Sequence, residues 1–220
     1  MSRLAMLGSK VFVSVSIGAI LLLASASRGA VIWNEAVNGD LSNNQAAPTS
    51  FNLAPGTSSV IGTVNGSTDS QDWVEVTIPA GFQLSGYTLA SYVSTDAQGF
   101  TGVQAGTSFV GSAFSAGSYL GYTHYGTGAQ NASQPAGSNV GENLLPIMGD
   151  NVNQSPGSLG FTPPLPAGPY TFLIQQLGAS TAYQFDFAVT SVPEPTSLGL
   201  LLGGAVMTCM SRRRGRRLHS

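Results

Sequence analysis

Ala182-Tyr183-Gln184-Phe185-Asp186-Phe187-Ala188-Val189-Thr190 carries the pattern that decides the fold. Tyr183, Phe185, Phe187 and Val189 occupy every second position, and Gln184, Asp186 and Ala188 fill the gaps. Successive side chains of a strand point to opposite faces, so this period of two makes a half-buried strand. The same alternation runs through Asp72–Ile78, where Val74, Val76 and Ile78 face one way and Trp73, Glu75 and Thr77 the other. It returns in Tyr170–Gln176, with Tyr170, Phe172 and Ile174 set against Thr171, Leu173 and Gln175. Weaker strands are expected at Ser59–Val64, Gln83–Val93, Phe100–Gln104 and Ser118–His124. Turns fall at Asn65-Gly66, Pro79-Ala80-Gly81 and Ala167-Gly168-Pro169, and Leu177-Gly178-Ala179-Ser180 is short enough to close a hairpin. No helical period extends through this region, although Glu142–Met148 can make one turn. Eight or so short strands predict an all-β protein, a single jelly-roll-like β-sandwich over residues 31–192.

The two ends of the chain read differently. Arg3 and Lys10 precede an apolar run from Val11 to Ala24, and Ala24-Ser25-Ala26 supplies small residues for a peptidase. This is the order of a secretory signal peptide, residues 1–26, with signal peptidase as the implied partner. Cleavage is expected after Ala26, or otherwise after Gly29; an uncleaved N-terminal anchor is the alternative. At the other end stand Pro193-Glu194-Pro195, an uncharged stretch from Thr196 to Ser211, and Arg212, Arg213, Arg214, Arg216 and Arg217. As a helix the sixteen uncharged residues would measure about 24 Å. That is slightly short for a bilayer, so residues 196–211 are expected to span as a single transmembrane segment with local thinning. The arginines set the topology, since clusters of Lys and Arg stay cytoplasmic and the body is left outside. A buried helix followed by a nucleic-acid-binding tail is the alternative, and it leaves the Pro-Glu-Pro turn and the N-terminal run unexplained.

Val192-Pro193-Glu194-Pro195-Thr196, the Leu/Gly-rich span and the arginine cluster resemble a PEP-CTERM sorting signal, here residues 193–217. Such signals belong to bacteria that make extracellular polysaccharide. The resemblance implies that an exosortase-type membrane protease recognises Pro193, Glu194 and Pro195, removes the tail, and releases the protein to the cell surface or extracellular matrix. A second resemblance lies in the body. Gly62-Thr63-Val64, Asp69, Asp72-Trp73-Val74-Glu75-Val76 and Ile78-Pro79-Ala80-Gly81 are similar to the first half of a pre-peptidase C-terminal (PPC-like) domain. Leu165-Pro166-Ala167-Gly168-Pro169-Tyr170-Thr171-Phe172 and the strands after it are similar to its closing half. That resemblance implies a small jelly-roll sandwich of the accessory kind attached to secreted bacterial proteins. This chain departs from it by a long middle, Thr95–Pro166.

Charge narrows the function. Between Gly29 and Ser211 there is no Lys or Arg, whereas Glu35, Asp40, Asp69, Asp72, Glu75, Asp96, Glu142, Asp150 and Asp186 are all acids. Such a body has no side-chain cation for an internal ion pair and repels phosphate backbones, which excludes nucleic acid as a partner. A cationic surface or Ca²⁺ fits the charge. Cys209, in the tail, is the only cysteine, so the body has no disulfide and must rest on packing and hydrogen bonds.

Candidate site residues are few. Tyr119, Tyr122, His124 and Tyr125 lie close together, followed by a Gly/Asn/Ser/Gln/Pro-rich stretch, 125–169, too long for an ordinary connection. Tyrosine rings beside amides offer stacking plus directional hydrogen bonds, the needs of a glycan contact. The plain alternative is that they are ordinary strand residues. His124 is the only histidine before the tail, and there is no Gly-x-Ser-x-Gly, no body cysteine and no His cluster, so no catalytic residues are assigned. Asp69 and Asp72, with Asp40 or Asp150, could ligate Ca²⁺ through oxygen, although Asp is also at home in the turn before a strand. No other cofactor is expected. The sequence thus predicts an exported, non-enzymatic surface or matrix protein associated with extracellular polysaccharide. The alternatives are a carbohydrate-binding module using Tyr119–Tyr125 and the following polar loop, and a glycan-acting hydrolase with a carboxylate pair.

Overall fold

The computed structural model describes residues 29–133 and 135–193. The expected signal peptide, Glu194, Pro195, the 196–211 span and the arginine cluster lie outside the described residues. Among the described residues no helix is long and apolar enough to cross a membrane.

Among the described residues nine strands make two sheets. They are β1 (Ala30–Asn34), β2 (Thr49–Asn52), β3 (Gly56–Val64), β4 (Gln71–Ile78), β5 (Phe82–Ser94), β6 (Gly99–Ala105), β7 (Gly121–Tyr125), β8 (Gly168–Gln175) and β9 (Thr181–Ser191). The first sheet has the order β1-β3-β9-β5 and the second β2-β4-β8-β6-β7. The first is antiparallel except for β1, and the second except for β2. The fold is therefore the expected all-β sandwich.

The alternation in β9 explains its place at the centre of the first sheet. Tyr183, Phe185, Phe187 and Val189 are all at most 2 % exposed and point into the space between the sheets. Facing them from the second sheet are Val74, Val76 and Ile78 of β4 and Tyr170, Phe172 and Ile174 of β8. Tyr87 of β5 joins the layers: its ring stacks on Phe185 at 4.6 Å and tilts against Phe172 at 4.7 Å. Its buried hydroxyl pairs with Thr101 Oγ1 at 2.9 Å, and Thr101 in turn donates to the Leu173 carbonyl. Each fully buried aromatic here contributes about 1.5–3 kcal/mol. Every described strand and core residue lies within 30–191, and the two sheets share one core.

Three features differ from the sequence reading. β1 and β2 were not expected, because neither has an alternating pattern of its own. They are held by parallel ladders to β3 and β4. The last of the weaker strands is shorter than expected: Ala116–Ser118 forms a 3-10 turn and β7 begins at Gly121. Finally, the polar middle is not a free loop. Its one helical turn, α2 (Leu145–Gly149), buries Leu145 and Met148 in the core, and Asn143 Oδ1 accepts from the Tyr87 backbone N–H at 3.0 Å.

The outer face of the second sheet is only partly open. Trp73 faces outward from β4, as its position requires, yet has no exposed surface, because the segment 106–120 folds over it. Phe109 packs on its ring at 4.9 Å, and Tyr119 and Leu173 complete this second apolar cluster.

Candidate functional site

Acidic side chains converge at one end of the sandwich. After β1 the chain forms a short turn of helix, α1 (Glu35–Asn38), capped by Asn34 Oδ1, which accepts from Ala36 N–H at 3.1 Å. Gly39, with φ of 91°, reverses the chain where a side chain would be strained, and Asp40 follows. The turn lays Glu35 across β3. Its Oε2 accepts from Thr63 N–H at 2.6 Å and Thr63 Oγ1 at 3.1 Å, and Oε1 accepts from Leu41 N–H at 3.0 Å. Gly62 makes this approach possible, because a Cβ there would run into the Tyr183 hydroxyl and come within 3.1 Å of the Glu35 carboxyl carbon.

Asp72 reaches the same place from β4. The alternation through Asp72–Ile78 makes it the first residue of a strand, beside a turn; β4 starts at Gln71, and Asp72 lies on the inward face with Val74. It has no exposed surface. The Tyr183 hydroxyl donates to its Oδ2 at 2.6 Å, while its Oδ1 is buried without any partner. Asp69 Oδ1 is likewise buried and unpartnered. One oxygen from each of Glu35, Asp40 and Asp72 lies within 4.8 Å of the others. An open hollow of about 460 Å³ beside it is lined by Glu35, Asp40, Gly62 and Thr63.

Burial, followed by the charges of Glu35, Asp69 and Asp40, pushes the Asp72 carboxyl up to about 9, although the Tyr183 hydrogen bond pulls the other way. Burial also raises Glu35, against the N–H bonds from Leu41 and Thr63, and burial and then Asp40 raise Asp69. Repelling, desolvated carboxyls with no Lys or Arg in residues 30–211 lack the countercharge that such burial usually requires. Oxygen donors at this spacing suit Ca²⁺, whose ligands sit about 2.3–2.6 Å from the ion and hence up to about 5 Å apart. Asp40, Asp69 and Asp72 are thus brought to one end of the molecule. Asp150 is not: it is exposed, and its carboxyl binds the backbone of its own loop at Val152 and Asn153, which lowers its pKa. Glu35 was missed, since nothing local marks a residue so far upstream as a neighbour of β4.

The tyrosine group divides between inside and outside. In β7, Gly121, Thr123 and Tyr125 face inward and Tyr122 and His124 outward. Tyr125 has no exposed surface and packs on Phe185 and Tyr92, so it is a core residue and its reading as a glycan contact is corrected. Tyr119 is only 1 % exposed, with its hydroxyl donating to the Ala113 carbonyl at 2.7 Å. It belongs to the Trp73 cluster and supports the outer surface rather than presenting a ring there. Tyr122 and His124 remain as surface aromatics. They meet Phe100 of β6, which stacks on Tyr122 at 5.6 Å and meets His124 edge-on at 5.8 Å. A hollow of about 350 Å³ opens over these three rings.

No protein-family model matches the chain, and no curated protein is similar to it.

Proposed function

We propose that this is an exported, non-enzymatic β-sandwich protein of the cell surface or extracellular polysaccharide layer, whose end is locked by a divalent cation. Signal peptidase and an exosortase-type protease process its two termini, and the tail anchors it to the inner membrane only until the Pro193-Glu194-Pro195 motif is cut. The tripartite N-terminus and the motif–span–arginine order of the tail support the route. The sandwich is read as jelly-roll-like because strands distant in sequence, β3 with β9 and β4 with β8, pair across it.

The observation that carries the cation is Asp72: a carboxyl without exposed surface, one oxygen unpartnered, beside Glu35, Asp40 and Asp69, in a body without Lys or Arg. Glu35, Asp40 and Asp72 would hold Ca²⁺, tying the β1–α1 segment to β4. Extracellular modules hold Ca²⁺ at about 10⁻⁴–10⁻³ M, which suits a lock that closes only after export. The same burial argues against Asp72 as the acid of a hydrolase. A general acid must touch the glycosidic oxygen, and Asp72 has no surface with which to do so.

Retention of the purified 29–193 segment on the host's own extracellular polysaccharide tests the reading, run with and without a calcium chelator. Saturable retention that chelator weakens is the expected result. Absence of retention in both conditions overturns the matrix association.

A further inference from the structure

We propose that the outer face of the second sheet, where Phe100, Tyr122 and His124 meet, is a binding cleft for an uncharged polysaccharide chain. The proposal deepens the matrix reading and rests on it, since it names what in the matrix is held and where. Three hollows meet at His124, of about 350, 150 and 360 Å³, so the depression runs on as a track along the sheet. Phe100 and Tyr122 line it with aromatic rings, the apolar surface on which the C–H groups of sugars pack.

Polar atoms without a protein partner lie in the walls of the track. Gln175, at the end of β8 and only 5 % exposed, lines the first two hollows, and its Nε2 is a buried donor without a partner. Gln154 lines the third, and its Oε1 is a buried acceptor without a partner. His124 Nδ1 lies 2.7 Å from the Gln130 carbonyl, which can only accept. Nδ1 therefore donates, and in the neutral ring Nε2 is the acceptor. A buried amide atom left unpaired is costly unless something binds it. One donor and two acceptors spread along the track suit hydroxyl groups, each of which can both donate and accept. A ligand without polar groups would leave all three unmet.

Charge selects among glycans. Residues 30–211 contain no Lys or Arg, so nothing on the sandwich can neutralise a uronate, sulfate or phosphate, and its acids repel them. A neutral chain has no such barrier.

Native affinity electrophoresis of the 29–193 segment tests this, in gels containing hydroxyethylcellulose, galactomannan or dextran, with alginate as the charged comparison. Gln175→Met keeps the side-chain size and removes the unpaired donor, and His124→Ala removes the central ring. Retardation by at least one neutral polymer and none by alginate is expected, with binding about tenfold weaker in Gln175→Met. The melting temperature of Gln175→Met should be unchanged or higher, because Nε2 has no protein partner to lose; a merely structural glutamine would lower it. Undiminished retardation of both variants overturns the cleft. If those variants also stay on the native polysaccharide layer, the matrix reading survives without it. Retardation by alginate alone, by no polymer, or self-association in place of glycan binding overturns the proposal.

Discussion

Replacing Asp72 by Asn should stabilise the metal-free domain, the reverse of what loss of a buried, hydrogen-bonded side chain usually does. In the folded protein the Asp72 carboxyl keeps its proton up to about 9, whereas its ordinary value is 3.8. At pH 7 folding must therefore take up a proton that the unfolded chain has released. Over the roughly three pH units between 3.8 and 7 this costs about 4 kcal/mol. Asparagine is neutral throughout, has nearly the same shape, and keeps an oxygen for the Tyr183 hydroxyl. Its Nδ2, placed where Oδ1 has no partner, takes back about 1–2 kcal/mol. The net gain is about 2 kcal/mol, or about 4–8 °C in melting temperature for a domain of this size. Thermal unfolding of the 29–193 segment in chelator, followed by circular dichroism, measures it. In Ca²⁺ at about a hundred times its Kd the wild type should gain about 2.7 kcal/mol, and Asp72→Asn almost nothing. A variant less stable than wild type in chelator, or one that responds fully to Ca²⁺, refutes the reasoning.

The same linkage sets the pH profile. Without metal, wild-type stability should be highest below about pH 4 as far as Asp72 is concerned. It should fall by about 1.4 kcal/mol per unit as pH rises and level off above about 9; urea melts across this range check the slope, which Asp72→Asn should flatten. Gly62→Ala places a methyl group against the Tyr183 hydroxyl and Glu35, so it should lower stability by about 1–3 kcal/mol and weaken the calorimetric Ca²⁺ signal. Trp73→Ala should cost about 3–5 kcal/mol in denaturant unfolding, since the ring is fully covered by the 106–120 segment; a cost near zero would mean that the segment does not pack there.

The strands legible in the sequence were those whose side chains alternate without help from neighbours. Tyr183 to Val189 and Val74 to Ile78 announce their buried faces residue by residue. β2, by contrast, has one large apolar residue, Phe51, and owes its extension to the ladder with β4. The site was legible only in part for a similar reason. Alternation through β7 separates Tyr122 and His124 from Tyr125, but proximity in sequence had grouped all of them. Asp72 lies on the Val74 face by the same count, so its burial is legible in the alternation through Asp72–Ile78. Glu35 and Asp40 join it only because α1 folds back over β3, and the unpaired atoms of Gln175 and Gln154 depend on neighbours that no local pattern encodes.

Export to the extracellular layer should leave a protein trimmed at both ends. Intact-mass measurement of the protein recovered from the host's extracellular polysaccharide shows whether it is. A species starting after Ala26 or Gly29 and ending close to Pro193, without Cys209 or the arginine cluster, is expected. Recovery of the untrimmed chain from the cytoplasm, with none in the polysaccharide layer, would contradict it.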